Sequence, residues 1–279
     1  MTLARKPSRD LLPPCCRARD RFRVGFTIVE LLVVISVITI LIALLQPSMA
    51  QSKKRARAAL CLSNQRQLMS AWHAYANDRN GKMVESWQGN GGFQTGNGKH
   101  WYVALRSYYN DKNLLVCAEA NLRRTPFGAG GNRGTADDGW KVPSPSNHVG
   151  AEQDDYGGFG VNNWVEDPKI VSTGTGGARH SDFFITRLDG KSPPHSSVPI
   201  LGDAVWPDQG WPRDTDTFPS DTQDPEASGA VGWMKRFCLD RHVGAVNLAF
   251  MDTSARAVEL RKLWEQTWHN GYKPTTPPP

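Results

Sequence analysis

The distribution of apolar and polar positions divides the chain into unlike parts. From Phe26 to Leu45 it reads FTIVELLVVISVITILIALL, apolar at nearly every position. A helix of that length, rising about 1.5 Å per residue, spans about 30 Å, the hydrocarbon thickness of a bilayer. The run is too long for an ordinary secretory signal, and no Ala-x-Ala-like cleavage site follows it. A buried core helix is the other reading of so apolar a stretch. Beyond Pro47 the pattern changes. Ser48 to Asn77 predicts a continuing helix, basic in its first part, with Cys61, Leu68, Trp72 and Tyr75 on one apolar stripe that packs against the rest of the chain. Pro47 lacks an N–H and crowds the preceding turn, which predicts a kink or a local break. Asn77-Asp78-Arg79-Asn80-Gly81 supplies a helix stop.

After Gly81 no period is sustained. Residues 81–180 are rich in Gly, Asn and Asp and predict loops with short strands and a small helix near His100–Tyr109. Strands are predicted over Phe183–Leu188, Val198–Val205, Ala245–Met251 and Ala255–Arg261, the last two as a hairpin about Asp252-Thr253-Ser254. Leu263 to His269 predicts a short helix docking Trp264 and Trp268, as core filling rather than a sugar platform. The expected fold is α+β: a long N-terminal helix, half transmembrane and half amphipathic, packed on a loop-rich head with an antiparallel sheet. Its parts are a basic leader at 1–25, an apolar helix at 26–47, an amphipathic stalk at 48–80 and a head at 81–279.

Charge and cysteines sharpen this. The formal net charge is +6, but residues 1–25 hold seven Arg or Lys against Asp10 and Asp20, so the leader alone carries +5. The remainder is close to neutral, which removes the main support for nucleic acid as a partner. The basic leader favours a cytoplasmic N-terminus, although Lys53, Lys54, Arg55 and Arg57 follow the apolar run on its other side. Of the five Cys, Cys15 and Cys16 lie in the leader. Cys61 and Cys117 are the leading disulfide pair, with free buried thiols and a pairing through Cys238 as the alternatives.

Glu30 is the one charge in the apolar run. A carboxylate in hydrocarbon costs several kcal/mol unless partnered, so its placement asks for a function. Gly25-Phe26-Thr27 with Glu30, between a basic leader and a long apolar helix, resembles the prepilin cleavage and methylation motif of type IV pilins and type II secretion pseudopilins. The resemblance implies a prepilin peptidase that cuts after Gly25 and methylates Phe26. It implies retention of the helix, and a Glu30 that neutralises the Phe26 amine of a neighbouring subunit and so fixes the register of a filament. Pro47 matches a Pro that type IV pilins often carry where the helix loosens on assembly. Cys61 to Val84, Leu115–Ala120, Tyr156–Asn162 and Ser197–Ala204 resemble a subgroup of pilin-like proteins with large heads.

Within that subgroup, Arg241-His242 through Asp252 resembles a motif of His, nine residues, Asp-Gly, with Thr253 in place of the Gly. His242 and Asp252 read as a polar clasp across the hairpin rather than a catalytic pair, since no nucleophile stands at a partner spacing. From Asp203 to Glu226 lie seven acids and the single base Arg213, and in Asp203, Asp214, Asp216 and Asp221 a Ca²⁺ site is conceivable, as the resemblance to the major pseudopilin suggests. No EF-hand spacing is present, and a solvated acidic loop is the plainer reading. No cofactor is otherwise implied, and no His pair has zinc-ligand spacing.

The expected function is therefore a structural, non-enzymatic subunit of a type II secretion or type IV pilus-type filament. It would sit in the inner membrane with its head outside the cytoplasm, and its partners would be prepilin peptidase, other pilin-like subunits and an inner-membrane assembly platform. A minor tip subunit with a binding head, or a membrane-tethered enzyme, are the alternatives.

Overall fold

Helix α1 runs from Ile28 to Asp78 in a computed structural model that describes residues 26–85, 99–120, 133–141, 152, 155–167, 181–190, 193–208 and 210–278. The chain divides into two compact units, Met1–Met49 and Ala50–Pro279. In the first, the helical side chains are all exposed. Helix α1 continues without interruption through Pro47, so the break predicted there is not present. The rung lost with the proline N–H is tolerated because one missing bond among so many does not end a helix.

In the second unit, the helical stripe is buried and wider than the spacing predicts, since Gln65, Met69, Ala71 and Ala76 join Cys61, Leu68, Trp72 and Tyr75. The helix stops where Asn80 and Gly81 take φ of 54° and 81°, the Gly81 N–H returning to the Ala76 carbonyl at 2.8 Å. Glycine is required at 81 for a second reason: a Cβ there would lie 2.6 Å from Asp189 Oδ1.

The sheet that α1 packs on has four antiparallel strands in the order β3 (Phe159–Val161), β4 (Pro199–Asp203), β5 (Ala245–Phe250) and β6 (Ala255–Glu259). A separate pair, β1 (Trp140–Lys141) and β2 (Tyr156–Gly157), precedes it. Because side chains alternate along a strand, β5 feeds two cores. Val246, Leu248 and Phe250 enter a cluster with Phe237, Trp264 and Trp268, whereas Ala249 joins the cluster that holds Cys61, Leu68, Trp72 and Trp101. Asn247 is fully buried between strands and helix. Its carbonyl accepts Gln65 Nε2 at 3.0 Å, and its Nδ2 donates to the Ala58 carbonyl at 3.3 Å, which ties α1 to the middle of the sheet.

Several elements differ from expectation. Phe183–Leu188 is not a strand: Met83 N–H bonds to the Thr186 carbonyl and Ile185 N–H to that of Trp164, so its backbone groups go to different neighbours. Only one α-helical turn, α2 (Trp101–Ala104), forms where a helix to Tyr109 is predicted. The C-terminal helix is of the 3₁₀ type and lies earlier, at Leu260–Glu265, with Trp264 and Trp268 fully buried. The β5–β6 hairpin closes through Thr253 N–H to the Phe250 carbonyl at 2.9 Å and Phe250 N–H to the Ser254 carbonyl at 2.8 Å. Thr253 takes φ 68°, a left-handed conformation that glycine adopts more readily.

Candidate functional site

Two places carry chemistry. The first is the start of α1. Thr27 N–H and Thr27 Oγ1 both donate to Glu30 Oε2, at 2.9 and 2.8 Å, and Glu30 N–H donates to Thr27 Oγ1 at 3.2 Å. This is a reciprocal capping box that satisfies the first N–H groups of the helix. The Thr-x-x-Glu spacing is the signal for that box along the chain, but the prepilin resemblance gives Glu30 another role and leaves Thr27 without one. Phe26 is 72% exposed, and Gly25 lies outside the described residues together with the rest of the leader.

The second place is buried in the head. Cys61 projects from α1, Cys117 follows the 3₁₀ turn Lys112–Leu115, and His242 precedes β5. Their ligand atoms lie within 4.8 Å of one another. The Cys61 and Cys117 sulfurs are 2.8 Å apart, both residues being unbonded thiols. Cys117 Sγ is 3.5 Å from His242 Nε2, and Cys61 Sγ accepts the Ala118 N–H at 3.1 Å. On the same ring nitrogen stands Asp203, its Oδ2 at 3.1 Å from His242 Nε2 and accepting the Asn247 N–H at 2.8 Å. Arg241, with its side chain fully buried, faces the other Asp203 oxygen at 3.8 Å. Its guanidinium donates to the carbonyls of Thr135, Asp138, Gly158 and Ala204.

The electrostatics follow from burial and pairing. Burial pushes the Cys117 thiol well up, so it stays protonated and is a poor nucleophile as it stands. Burial opposes charge on the His242 ring as well, but the Asp203 carboxylate outweighs it and lifts the imidazole to about 10. Burial alone would raise Asp203; His242, then Arg241 and the Asn247 N–H, hold it below the usual carboxylate range instead. The unit can hold charge, donate hydrogen bonds to sulfur and gather three soft or borderline ligands.

The clasp expected between His242 and Asp252 does not form. The two residues flank opposite ends of β5, separated by roughly 20 Å of strand at about 3.3 Å per residue. Asp252 instead accepts the Ser254 N–H at 3.0 Å and the Ser254 hydroxyl at 2.6 Å, and His242 takes Asp203. Cys238 packs in the cluster on the other side of the sheet from Cys61 and Cys117. The four aspartates of the conceivable Ca²⁺ site are not brought together. Asp203 serves His242. Asp216 accepts the N–H groups of Arg213, Trp233 and Met234 at 2.8 to 3.0 Å, and Asp221 accepts that of Gln223 at 2.8 Å. Asp214 is half-buried and enters no such group among the described residues.

Comparison with known proteins finds no matching family model, no match among curated proteins and no matching solved structure.

Proposed function

We propose that the chain is a membrane-anchored, pilin-like filament subunit of the kind used by type II secretion or type IV pilus-type machines. A prepilin peptidase removes the leader between Gly25 and Phe26 and methylates the new amine. The apolar half of α1 is retained and serves first as anchor and then as the contact with other pilin-like subunits. The basic leader keeps the N-terminus cytoplasmic, the head lies outside the cytoplasm, and an inner-membrane platform drives assembly.

The observation that carries this reading is the bare apolar surface of α1. Fifteen large apolar side chains between Phe26 and Leu45 are each at least 46% exposed. Burying each is worth about 1.5–3 kcal/mol, so leaving all of them in water costs tens of kcal/mol. Among the described residues nothing covers them; a bilayer, or like helices in a bundle, would. The segment is long and apolar enough to cross a membrane, and it lies near the N-terminus.

The capping box refines what Glu30 does. Two hydrogen bonds from Thr27 support the carboxylate while no neighbouring subunit is present, which lowers the cost of carrying it in an apolar layer. On assembly, the Phe26 amine of a neighbour supplies the opposite charge. Glu30→Gln separates the two roles, because glutamine still caps the helix but carries no charge. The variant is expected to be processed and to insert normally, yet to enter sheared filaments at least tenfold less than the parent. Equal incorporation would show that Glu30 is a helix cap and nothing more.

A further inference from the structure

Cys61, Cys117 and His242 are brought together from segments separated by 56 and 125 residues, and nothing in the anchoring or assembly of the chain uses them. We propose that they form a binding site for one zinc-class divalent cation, with the two thiolates and His242 Nε2 as its ligands.

Four observations point to a metal. The donor set is two sulfurs and an imidazole, which suits a borderline-soft cation and little else. The separation of Cys117 Sγ from His242 Nε2, 3.5 Å, matches the edge of about 3.5 Å set by Zn–S and Zn–N bonds of about 2.3 and 2.0 Å in a tetrahedron. The two sulfurs, at 2.8 Å, must spread by about 1 Å to reach the corresponding S–S edge of about 3.8 Å. The Ala118 N–H is aimed at Cys61 Sγ at 3.1 Å, a donor that favours sulfur as thiolate. Finally, the Asp203 carboxylate, fixed by Asn247 and Arg241, lies 3.1 Å from that same His242 Nε2, so a cation that replaces the Nε2 proton keeps a negative charge beside it.

Charge and packing agree. A dication with two thiolates is neutral, and Asp203 is offset by Arg241, so the loaded cluster carries no net buried charge. Cys117 is held from behind by Gly158, where a Cβ would come within 2.8 Å of Cys117 Cβ. A disulfide between the same sulfurs would need neither the imidazole beside Cys117 nor the N–H on Cys61.

The test uses the full-length chain in detergent, kept reduced with a phosphine and free of chelators. Zinc is added, excess is removed by gel filtration, and bound metal is measured by mass spectrometry; cobalt substitution is then read by thiolate-to-cobalt absorption. The expected result is one zinc per chain and a thiolate–cobalt band. Cys61→Ser, Cys117→Ser and His242→Asn should each weaken binding at least tenfold. Three results would overturn the proposal: no retained metal in the reduced parent, unchanged binding in Cys117→Ser, or a chain isolated without reductant that holds no metal and yields a Cys61–Cys117 cross-linked peptide. The first and third concern the parent alone, so they decide the matter even if a variant fails to fold.

Discussion

Thr253 adopts φ 68° at the β5–β6 turn, and Val243 adopts φ 57° beside Gly244 in the turn before β5. Both are β-branched, and both sit where glycine or asparagine fits without strain. Thr253→Gly relieves the strain at some cost in unfolded-state entropy, and the net expected gain is about 1 kcal/mol. Equilibrium denaturation of the two proteins side by side measures it, and a loss of stability would mean the Thr253 hydroxyl or methyl makes a compensating contact. His269 gives a pH dependence. Burial among Phe183, Trp164 and Tyr272 lowers its ring below the ordinary histidine value, against an opposing hydrogen bond to the Asn270 carbonyl. The folded chain therefore takes up this proton only at a lower pH than the unfolded chain, which does so below about pH 6.5. Stability contributed by this group is present above that value and falls as the pH drops. His269→Phe keeps the ring stack and should flatten the loss between about pH 7 and about pH 5; an unchanged slope would assign the acid sensitivity elsewhere. At this scale the sequence is an uneven guide. Thr253 is visible in it as a departure from a family motif. Asp203 as the partner of His242 is not, because their meeting depends on β4 lying beside β5, where Gly202 pairs with Leu248, and no spacing along the chain encodes that neighbour.

Among the elements, α1 is the one whose two halves obey different rules. The second half is held by burial of a stripe, so Leu68→Ala, at a side chain with 0% exposure, should cost about 2–5 kcal/mol through lost contact and a residual cavity. The first half buries nothing among the described residues, so Leu41→Ala, at 55% exposure, should leave the unfolding of the head in detergent unchanged. Melting both variants distinguishes a helix stabilised by the head along its whole length from one stabilised only past Ala50. These halves are legible in the sequence because one has a 3.6-residue period and the other has none. The strands are less so. Val246 to Phe250 alternates between two cores and is found easily. By contrast, β3 is three buried residues in a glycine-rich stretch with no alternation to mark it, whereas β4, buried at every position, lies inside the strand expected over Val198–Val205 because its run is apolar but for Asp203. Phe183–Leu188 has the composition of a strand but no continuous partner edge, and composition alone does not supply one.

For the molecule as a whole, the proposed function makes the basic segment 1–25, the cap at Thr27 and Glu30, and the uncovered apolar surface parts of one arrangement. The leader carries most of the net charge and lies just before the first turn of α1. Its removal would place a new amine one residue from the capping threonine, at the end of a helix whose apolar side chains are exposed. The zinc-class site is a separate matter of how the head is held, and it can fail without touching the anchor. On the proposed function, what would join the parts is processing between Gly25 and Phe26. Peptide mass mapping of the mature chain, recovered from membranes of cells that contain a prepilin peptidase, tests that junction directly. The expected product begins at Phe26, carries an N-methyl group and retains the whole apolar helix. A chain that still begins at Met1, or one cut beyond Leu45, would contradict the assignment.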